Sequence, residues 1–463
     1  MTAQMYLETI IRRTEYSAVP FLVLLLLALL LMPGVSAQNM MYRYDAGHSG
    51  DYSPVAGVTG SNVSLLWNKT MENTAWGRSV PAVANGTIYI TNTIGNFYAL
   101  NAATGREQWK VLILIQQSSP AVVNDTVYVG SEDGNVYALN AVNGDPIWTD
   151  STGGPIVSSP NLANGTVYIT SNNKRGDTPS DEVLYALDAT TGEHLWNFTI
   201  GGYSDSSPAV ADDTVFVSGE GGRVYAVRAD TGAGVWNATV GSDGGYVFTP
   251  SPLIKRGIVY AGSNEGNNVE KALTFNVYAL NATTGARIWN FTISGHISSE
   301  PALSQNILYI NSDSYLYALN ASTGSVLWTA NPTGTVIVAK DILYLCNYGG
   351  ISAIDPANGT PLWSLNLPVE SFLWKSTTAV IENDRFYEVN YGSNAGNPAG
   401  GPSIDKITIY ALDLNAGTSG VPISSLTPAT PAPLTTASVS PDSGIILLIV
   451  VFAFFVYIRH NRR

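Results

Sequence analysis

The chain has 463 residues, a formal net charge of −13 and a charged fraction of only 12%. With 44 glycines and 24 prolines, this composition argues against charged surface helices and predicts a large all-β protein. The acidic balance argues against a nucleic-acid partner, because phosphates are bound by basic surfaces. The single cysteine, Cys346, excludes an internal disulfide, and its place in the apolar run 342–346 predicts a buried side chain.

The first 37 residues are predicted to form a signal peptide, 1–37. Arg12 and Arg13 precede an apolar run from Val19 to Met32, and Val35-Ser36-Ala37 supplies the small residues that precede a cleavage site. Cleavage there would make Gln38 the first residue of the mature protein. An uncleaved membrane anchor is the alternative.

A recurring phrase of the type Tyr-Ala-Leu-Asn…Trp dominates residues 38–420 and is clearest at Val136–Trp148 and Val277–Trp289. A fixed period of about 40 residues is typical of a repeat architecture. The second unit contains four strand signals, at 118–123, 126–129, 135–139 and 146–148, separated by turn residues. Four antiparallel strands per unit, repeated radially, predict a β-propeller.

Three residue types that recur at fixed places allow the repeat units to be counted. Proline marks the first strand of six units and tyrosine the third strand of seven, with degraded equivalents in the others. Tryptophan marks the fourth strand of seven units, from Trp109 to Trp363, and the eighth, Trp67, precedes the first unit. The strand Val63–Trp67 is therefore predicted to complete the last blade and close an eight-bladed ring over 38–420. The repeated tryptophans are expected to pack between neighbouring blades.

The C-terminal end is predicted to lie outside the propeller. Residues 421–443 are rich in Thr, Pro and Ser, which predicts an extended stalk. The apolar segment 444–458 predicts a transmembrane helix, although it is slightly short for a bilayer. The arginines of 459–463 predict a basic cytoplasmic end and place the propeller outside. We therefore expect secretion across the cytoplasmic membrane and anchoring at the cell surface by the C-terminal segment.

The repeated phrase also carries a family resemblance. Tyr185–Gly192 reads Tyr-Ala-Leu-Asp-Ala-Thr-Thr-Gly and resembles the pyrroloquinoline quinone-like repeat of quinoprotein dehydrogenases and of many non-enzymatic propellers. The opening 41–50 is similar to the lead-in of archaeal surface members and of the outer-membrane assembly propeller. The resemblance spans about Met41 to Gly417 and implies the scaffold, whereas it does not imply an activity.

One face of the predicted ring carries the longest connections. In a four-stranded blade, the second-to-third turns and the connections between blades share one face. Three second-to-third connections are long, Ser171–Glu182, Gly262–Thr274 and Tyr391–Lys406, and propellers often bind ligands on this face. Random drift in the length of surface loops is the alternative.

The connections between blades on this face offer aromatic and charged side chains that suit a carbohydrate or a peptide. The alternative is that each is an ordinary loop residue. The candidate ligand residues are Trp76, Arg78, Tyr203, Asp205, Tyr246, His296, Glu300, Trp374 and Lys375, with Asp150 and Asp243 in the same group.

The positions of glycosylation sequons indicate which surfaces of the propeller glycans would cover. The candidate sites are Asn62, Asn68, Asn85, Asn124, Asn164, Asn197, Asn237, Asn281, Asn290, Asn320 and Asn358. Six of them are predicted in turns of the opposite face and the others on or beside outer strands, so glycans would leave the face with the long connections free. The alternative is that Asn-Gly is simply a favourable turn.

These observations favour a non-enzymatic binding or structural module at the cell surface, with no cofactor and with an unknown extracellular protein or carbohydrate as partner. The first alternative is a membrane-anchored quinoprotein-like oxidoreductase using pyrroloquinoline quinone and Ca²⁺, for which Asp205 or Glu300 would offer metal ligands. The resemblance implies that many such enzymes have adjacent cysteines, which this chain lacks. The second alternative is an assembly factor for envelope proteins.

Overall fold

The computed structural model describes residues 63–414, except 74–78, 93–94, 116, 174–180, 203–204, 241–250, 267–272, 296, 298, 332–333, 340, 370–373, 383 and 394–404. The predicted signal peptide, stalk, membrane span and basic end all lie outside these residues. Within them, no helix is long and apolar enough to cross a membrane.

The described strands form eight antiparallel sheets of four strands each, which confirms the predicted number of blades. Blade 1 contains β2 (Ala82–Ala84), β3 (Thr87–Thr91), β4 (Asn96–Asn101) and β5 (Glu107–Leu112). Blade 2 contains β6 (Ala121–Val123), β7 (Thr126–Gly130), β8 (Asn135–Asn140) and β9 (Pro146–Ser151). Blade 3 contains β10 (Asn161–Ala163), β11 (Thr166–Asn173), β12 (Asp181–Asp188) and β13 (His194–Thr199). Blade 4 contains β14 (Ala209–Ala211), β15 (Thr214–Gly219), β16 (Arg223–Arg228) and β17 (Gly234–Thr239), with a 3-10 helix at Glu220–Gly222.

The second half of the ring follows the same order. Blade 5 contains β18 (Leu253–Lys255), β19 (Ile258–Gly266), β20 (Leu273–Asn281) and β21 (Arg287–Ile293). Blade 6 contains β22 (Ala302–Ser304), β23 (Ile307–Asn311), β24 (Leu316–Asn320) and β25 (Val326–Ala330). Blade 7 contains β26 (Thr335–Ala339), β27 (Ile342–Asn347), β28 (Gly350–Ile354) and β29 (Pro361–Asn366). Blade 8 contains β30 (Trp374–Glu382), β31 (Arg385–Ser393), β32 (Asp405–Asp413) and, as its outer strand, β1 (Ser64–Asn73).

The N-terminal strand closes the ring as predicted. Strand β1 pairs antiparallel with β32 from Ser64 opposite Asp413 to Asn73 opposite Asp405. The ladder is longer than the predicted Val63–Trp67, because the polar residues after Trp67 also find backbone partners on the long β32. This pairing satisfies two strand edges that an open array would expose.

The core lies between the blades. One cluster of buried apolar side chains joins Ala121, Tyr128 and Val136 of blade 2 to Leu162 and Val167 of blade 3. The outer strands behave as edges, since residues of β9, β13, β17 and β29 alternate between exposed and half-buried. Cohesion between blades therefore depends on faces that pack against the next blade.

The recurring tryptophan links seven of the eight blades to the next one in the described part of the chain. Trp148 of blade 2 donates its indole N–H to the carbonyl oxygen of Ala189 in blade 3 at 3.0 Å. Tyr128 of β7 donates its hydroxyl to the same oxygen at 2.9 Å. The indole bond recurs at 2.8 to 3.1 Å in six further pairs, Trp67–Ala102, Trp109–Ala141, Trp196–Ala229, Trp236–Ala282, Trp289–Ala321 and Trp328–Pro356. The prediction that the tryptophans pack between blades is confirmed.

The rest of the phrase builds the turn that receives the tryptophan. The carboxylate of Asp188 accepts the backbone N–H groups of Thr190 and Thr191, both at 2.8 Å, and these donors lower the pKa of Asp188. Gly192 ends the turn with φ +77°, and a Cβ placed there would lie 2.7 Å from the ring of Trp148. Glycine is needed here both for the backbone conformation and for the close approach of the ring.

A pair of glycine substitutions separates these two requirements. Gly165→Ala should lower the free energy of unfolding by about 1 kcal/mol, because its φ is also +77° but no atom lies within 4 Å of the added Cβ. Gly192→Ala should lower the free energy of unfolding by about 1–3 kcal/mol more than Gly165→Ala does, because its methyl group displaces Trp148. Denaturation by guanidinium of both variants and the wild type measures the difference, and equal losses would contradict the docking role of Gly192.

Candidate functional site

The structure distinguishes two faces of the ring. The first-to-second and third-to-fourth turns pack together on one face, as in blade 3, where the N–H of Ala189 donates to the carbonyl of Gly165 at 2.9 Å. We call this the turn face. The opposite ends of the strands, where the second strand connects to the third, form the hairpin face.

Three blades extend beyond the others on the hairpin face. The second and third strands of blades 3, 5 and 8 have 8 or 9 residues, whereas those of the other blades have 5 or 6. Much of each predicted loop is therefore a continued ladder, as in the pairing of Asn172 with Glu182. The polar residues of these segments predict loops, but their backbones continue the antiparallel pairing. The tips of the hairpins, 174–180, 267–272 and 394–404, lie outside the described residues.

Most candidate ligand residues cannot be placed together. Asp205 and Glu300 precede the inner strands of blades 4 and 6, and both are half-buried. Trp374 and Lys375 begin β30, but their side chains are not among those described. The remaining candidates fall in the gaps of the described chain: Trp76, Arg78, Tyr203, Asp243, Tyr246 and His296. Their grouping around one mouth stays a prediction.

Asp150 lies in an outer strand and not, as predicted, in a connection between blades. It lies within the outer strand β9, and its carboxylate contacts Nε2 of His194 on the outer strand of blade 3 at 2.5 Å. The prediction was wrong because β9 continues to Ser151, beyond the Trp148 that marked the strand in the sequence. The contact was missed because the two residues are 44 positions apart and meet only across neighbouring blades.

A belt of serines joins the inner strands near the centre of the ring. The N–H of Val80 donates to Oγ of Ser119 at 2.8 Å, and the N–H of Ser119 donates to Oγ of Ser159 at 2.9 Å. The same bond continues from Ser159 to Ser207 at 2.9 Å and from Ser207 to Ser251 at 3.0 Å. Each serine directly precedes the proline used to count the inner strands, so the recurring Ser-Pro pair was an unused signal. Blade 6 has Glu300 at this position.

Blade 8 departs from the repeat in its core. Glu388 of β31 is fully buried at a position where the other seven blades have an aliphatic residue. The equivalents are Ile90, Val129, Ile169, Val217, Ala261, Ile310 and Leu345. Burial raises the pKa of Glu388 to about 8, whereas nearby Asn390 and Thr377 act in the opposite direction.

The surroundings of Glu388 are polar but incompletely bonded. Both carboxyl oxygens of Glu388, both polar atoms of the Asn390 amide and Oγ1 of Thr377 are buried without a hydrogen-bond partner in the described structure. Cys346 of blade 7 lies on the other side of the blade interface, is fully buried as predicted, and has a pKa raised by burial and by the charge of Glu388. A carboxyl group in such a site is favoured in its neutral form.

The described residues do not assemble a metal centre. No group of three or more His, Cys, Asp or Glu side chains among them lies close enough together to hold an ion. Asp205 and Glu300, the predicted metal ligands, stand before inner strands of two non-adjacent blades. The described residues therefore contain no assembled Ca²⁺ site.

The titration of Glu388 should make stability depend on pH. Because its folded pKa, about 8, is above the ordinary value, its contribution is complete below pH ~4.5 and decreases as pH rises towards 8. The free energy of unfolding should therefore fall by up to about 1.4 kcal/mol per pH unit across this window. Glu388→Val should flatten the curve, because valine occupies the equivalent position in blades 2 and 4.

Guanidinium titrations at pH 5, 6.5 and 8 measure this effect. Glu107→Gln, at an exposed residue of β5, is the control and should leave the pH dependence unchanged. If the free energy of unfolding changes with pH to the same extent in the wild type and in Glu388→Val, the effect of Glu388 on stability is contradicted.

Comparisons with known proteins support the scaffold. A family model described as outer membrane protein assembly factor BamB matches residues 55–114, 113–329 and 272–397. No curated protein matches the chain. The crystal structure of a quinohemoprotein alcohol dehydrogenase from Comamonas testosteroni superposes with a TM-score of 0.62 and 13% identity, covering 87% of this chain and 83% of that one.

Two further solved structures share the fold. BamB from Moraxella catarrhalis has a TM-score of 0.55 and 16% identity, covering 75% of this chain and 99% of its own. A europium-containing methanol dehydrogenase has a TM-score of 0.61 and 12% identity, covering 83% and 99%. Identities this low show the fold alone. Because the family model matches most of the propeller, the chain belongs to the family of pyrroloquinoline quinone-like repeat propellers that this model describes as outer membrane protein assembly factor BamB.

Proposed function

We propose that this protein is a glycosylated propeller displayed at the cell surface, where its hairpin face binds an extracellular protein or carbohydrate. The observation that carries the proposal is the division of the surface. Long hairpins project from blades 3, 5 and 8 on one face, and no sequon falls in their second-to-third connections. Binding sites are commonly built from extended connections on a rigid scaffold.

The sequons on the turn face support this division. Asn85, Asn124 and Asn164 are exposed at first-to-second turns with φ near +50°. Asn281, Asn320 and Asn358 stand at third-to-fourth turns, where the side chains of Asn281 and Asn320 are half-buried and that of Asn358 is exposed. Sugars attached to these turns would project away from the hairpins.

The remaining described sequons lie on outer strands. Asn68, Asn197, Asn237 and Asn290 each follow the docking tryptophan of their blade, and the last three are exposed. A glycan at this place would stand on the free edge of a sheet. Unpaired edges invite association with other strands, so glycans there would also keep copies of the propeller apart.

The proposed display depends on the two ends of the chain. A cleaved signal peptide, 1–37, would direct the propeller across the membrane, and the segment 444–458 with the arginines of 459–463 would anchor it. The stalk, 421–443, would hold the ring away from the lipid surface.

Cross-linking on intact cells tests which face meets the partner. Each long connection contains one lysine, Lys174, Lys271 or Lys406, whereas Lys255 and Lys340 belong to first-to-second hairpins of the turn face. An amine-reactive reagent should join the partner to the first three lysines, with at least tenfold fewer products at the other two. Replacing residues 174–180 with an Asn-Gly turn should remove the cross-linked products at blade 3, because Lys174 is lost, and should leave the ring folded.

Two outcomes of this experiment would change the proposal. A partner joined mainly to Lys255 and Lys340 would place binding on the turn face and overturn it. Newly made envelope proteins as partners, with reduced amounts in cells that lack this chain, would favour the assembly function suggested by the family description.

A quinoprotein-like oxidoreductase is the second candidate, favoured by two of the solved structures that share this fold. Purified protein should show no retained quinone absorbance after incubation with pyrroloquinoline quinone and Ca²⁺ followed by gel filtration. Stoichiometric retention, together with oxidation of an alcohol or a sugar, would replace the binding proposal with this one.

A further inference from the structure

A cavity lies between blades 5 and 6 on the turn face. Its volume is about 550 Å³, which is within the range of pockets that hold small ligands. Blade 5 contributes its first hairpin and blade 6 contributes the facing hairpin with one residue of its third-to-fourth turn. The lining residues are Lys255, Arg256, Ile258, Tyr260, Leu303, Ser304, Gln305, Asn306 and Ser322.

The charge of this cavity is unusual for the molecule. Lys255 and Arg256 both line it, and no Asp or Glu is among its described lining residues, although the chain carries a net charge of −13. The equivalent pairs in four other blades are Ala84-Asn85, Val123-Asn124, Ala163-Asn164 and Ala211-Asp212. None of these pairs contains a cation, and blade 7 has one, in Ala339-Lys340, so two adjacent cations at this place distinguish blade 5 from the rest of the repeat.

Arg256 has a left-handed backbone conformation, which asparagine and aspartate adopt more easily than arginine does. Its φ is +53°, as in the turns where Asn or Asp stands. Asn and Asp tolerate this region better than arginine does, so the site keeps arginine despite a conformational cost. The charge of Arg256 acts on Tyr260, which also lines the cavity. Burial raises the pKa of the Tyr260 hydroxyl to about 12, whereas the positive charge of Arg256 lowers it.

At two other interfaces, a side-chain hydrogen bond joins the facing first-to-second turns. Asn85 donates to Asp125 at 3.2 Å between blades 1 and 2. Gln305 donates to Asp341 between blades 6 and 7. Between blades 5 and 6, the residues at the equivalent positions are Arg256 and Asn306, and both line the cavity.

The remaining lining residues provide two further types of surface. Ser304, Gln305, Asn306 and Ser322 supply hydroxyl and amide groups, and Asn306 is oriented by a bond from Ser322 Oγ to its Oδ1 at 2.9 Å. This bond leaves the Asn306 Nδ2 group as a donor. Leu303 and Tyr260 supply buried apolar surface. Cations, polar groups and an apolar wall together match a polyhydroxylated molecule that carries one negative group.

We propose that this cavity binds an acidic sugar, with its carboxylate between Lys255 and Arg256 and its hydroxyl groups on the amides and hydroxyls of blade 6. Arginine suits this role because its guanidinium group holds a carboxylate through two parallel hydrogen bonds. The site lies on the face opposite the long hairpins, so it is independent of the function proposed above.

Isothermal titration of the purified full-length protein tests the site, with glucuronate as ligand and glucose and acetate as controls. Glucuronate should bind at one site, at least tenfold more tightly than either control, and more weakly as salt concentration rises. The double variant Lys255→Ala/Arg256→Asn should weaken glucuronate binding about tenfold or more, because it removes charge-assisted hydrogen bonds. This variant recreates the Ala-Asn-Gly turn of blades 1 and 3, so it is expected to fold.

A matched variant controls for net charge. Arg106→Ala/Lys110→Ala removes two exposed cations from blade 1 and should leave glucuronate binding unchanged. Equal binding by the wild type and by Lys255→Ala/Arg256→Asn would overturn the proposal. So would the absence of saturable binding up to high millimolar glucuronate, or acetate binding as tightly as glucuronate, because the hydroxyl-binding wall would then have no role.

Discussion

The docking of an indole on the next blade is the contact on which the ring depends. At seven interfaces of the described chain, the tryptophan N–H and a close glycine meet at the same turn, as Trp148 does with Ala189 and Gly192. The bond gives direction to apolar packing that would otherwise tolerate sliding between sheets. Because the contact always runs from one blade to the following one, it sets the order and the spacing of the blades.

Because one contact recurs around the ring, a residue that differs from its equivalents in the other blades indicates a candidate site. Glu388 stands where seven blades have an aliphatic side chain, and Glu300 stands where four blades have the belt serine. Lys255 and Arg256 place two cations where each other blade has at most one charged residue. Two of these departures are costly by themselves, through burial of the carboxyl group of Glu388 and through the positive φ of Arg256. The repeat thus supplies an internal reference against which candidate sites are recognised.

The geometry of the blade also explains why the two faces differ. On the turn face, two residues join the first strand to the second, and five or six join the third to the fourth in blades 1 to 7. The asparagines of these turns accept backbone N–H groups or adopt positive φ. Those turns tolerate few insertions because they receive the tryptophan of the preceding blade. The hairpin face carries no such constraint, and blades 3, 5 and 8 extend there by continuing their ladders.

The sequence alone determined the number of blades, the closing strand and the role of the tryptophans, because these features are written in a periodic pattern with one displaced member, Trp67. It also determined which turns carry sequons. Only the tertiary structure decided which side chains meet across blades. Glu388 faces Cys346, Asp150 contacts His194, and Lys255 lines a cavity with Asn306. Such contacts join residues of neighbouring blades, about 40 or more positions apart, and depend on packing that leaves no local signal in the chain.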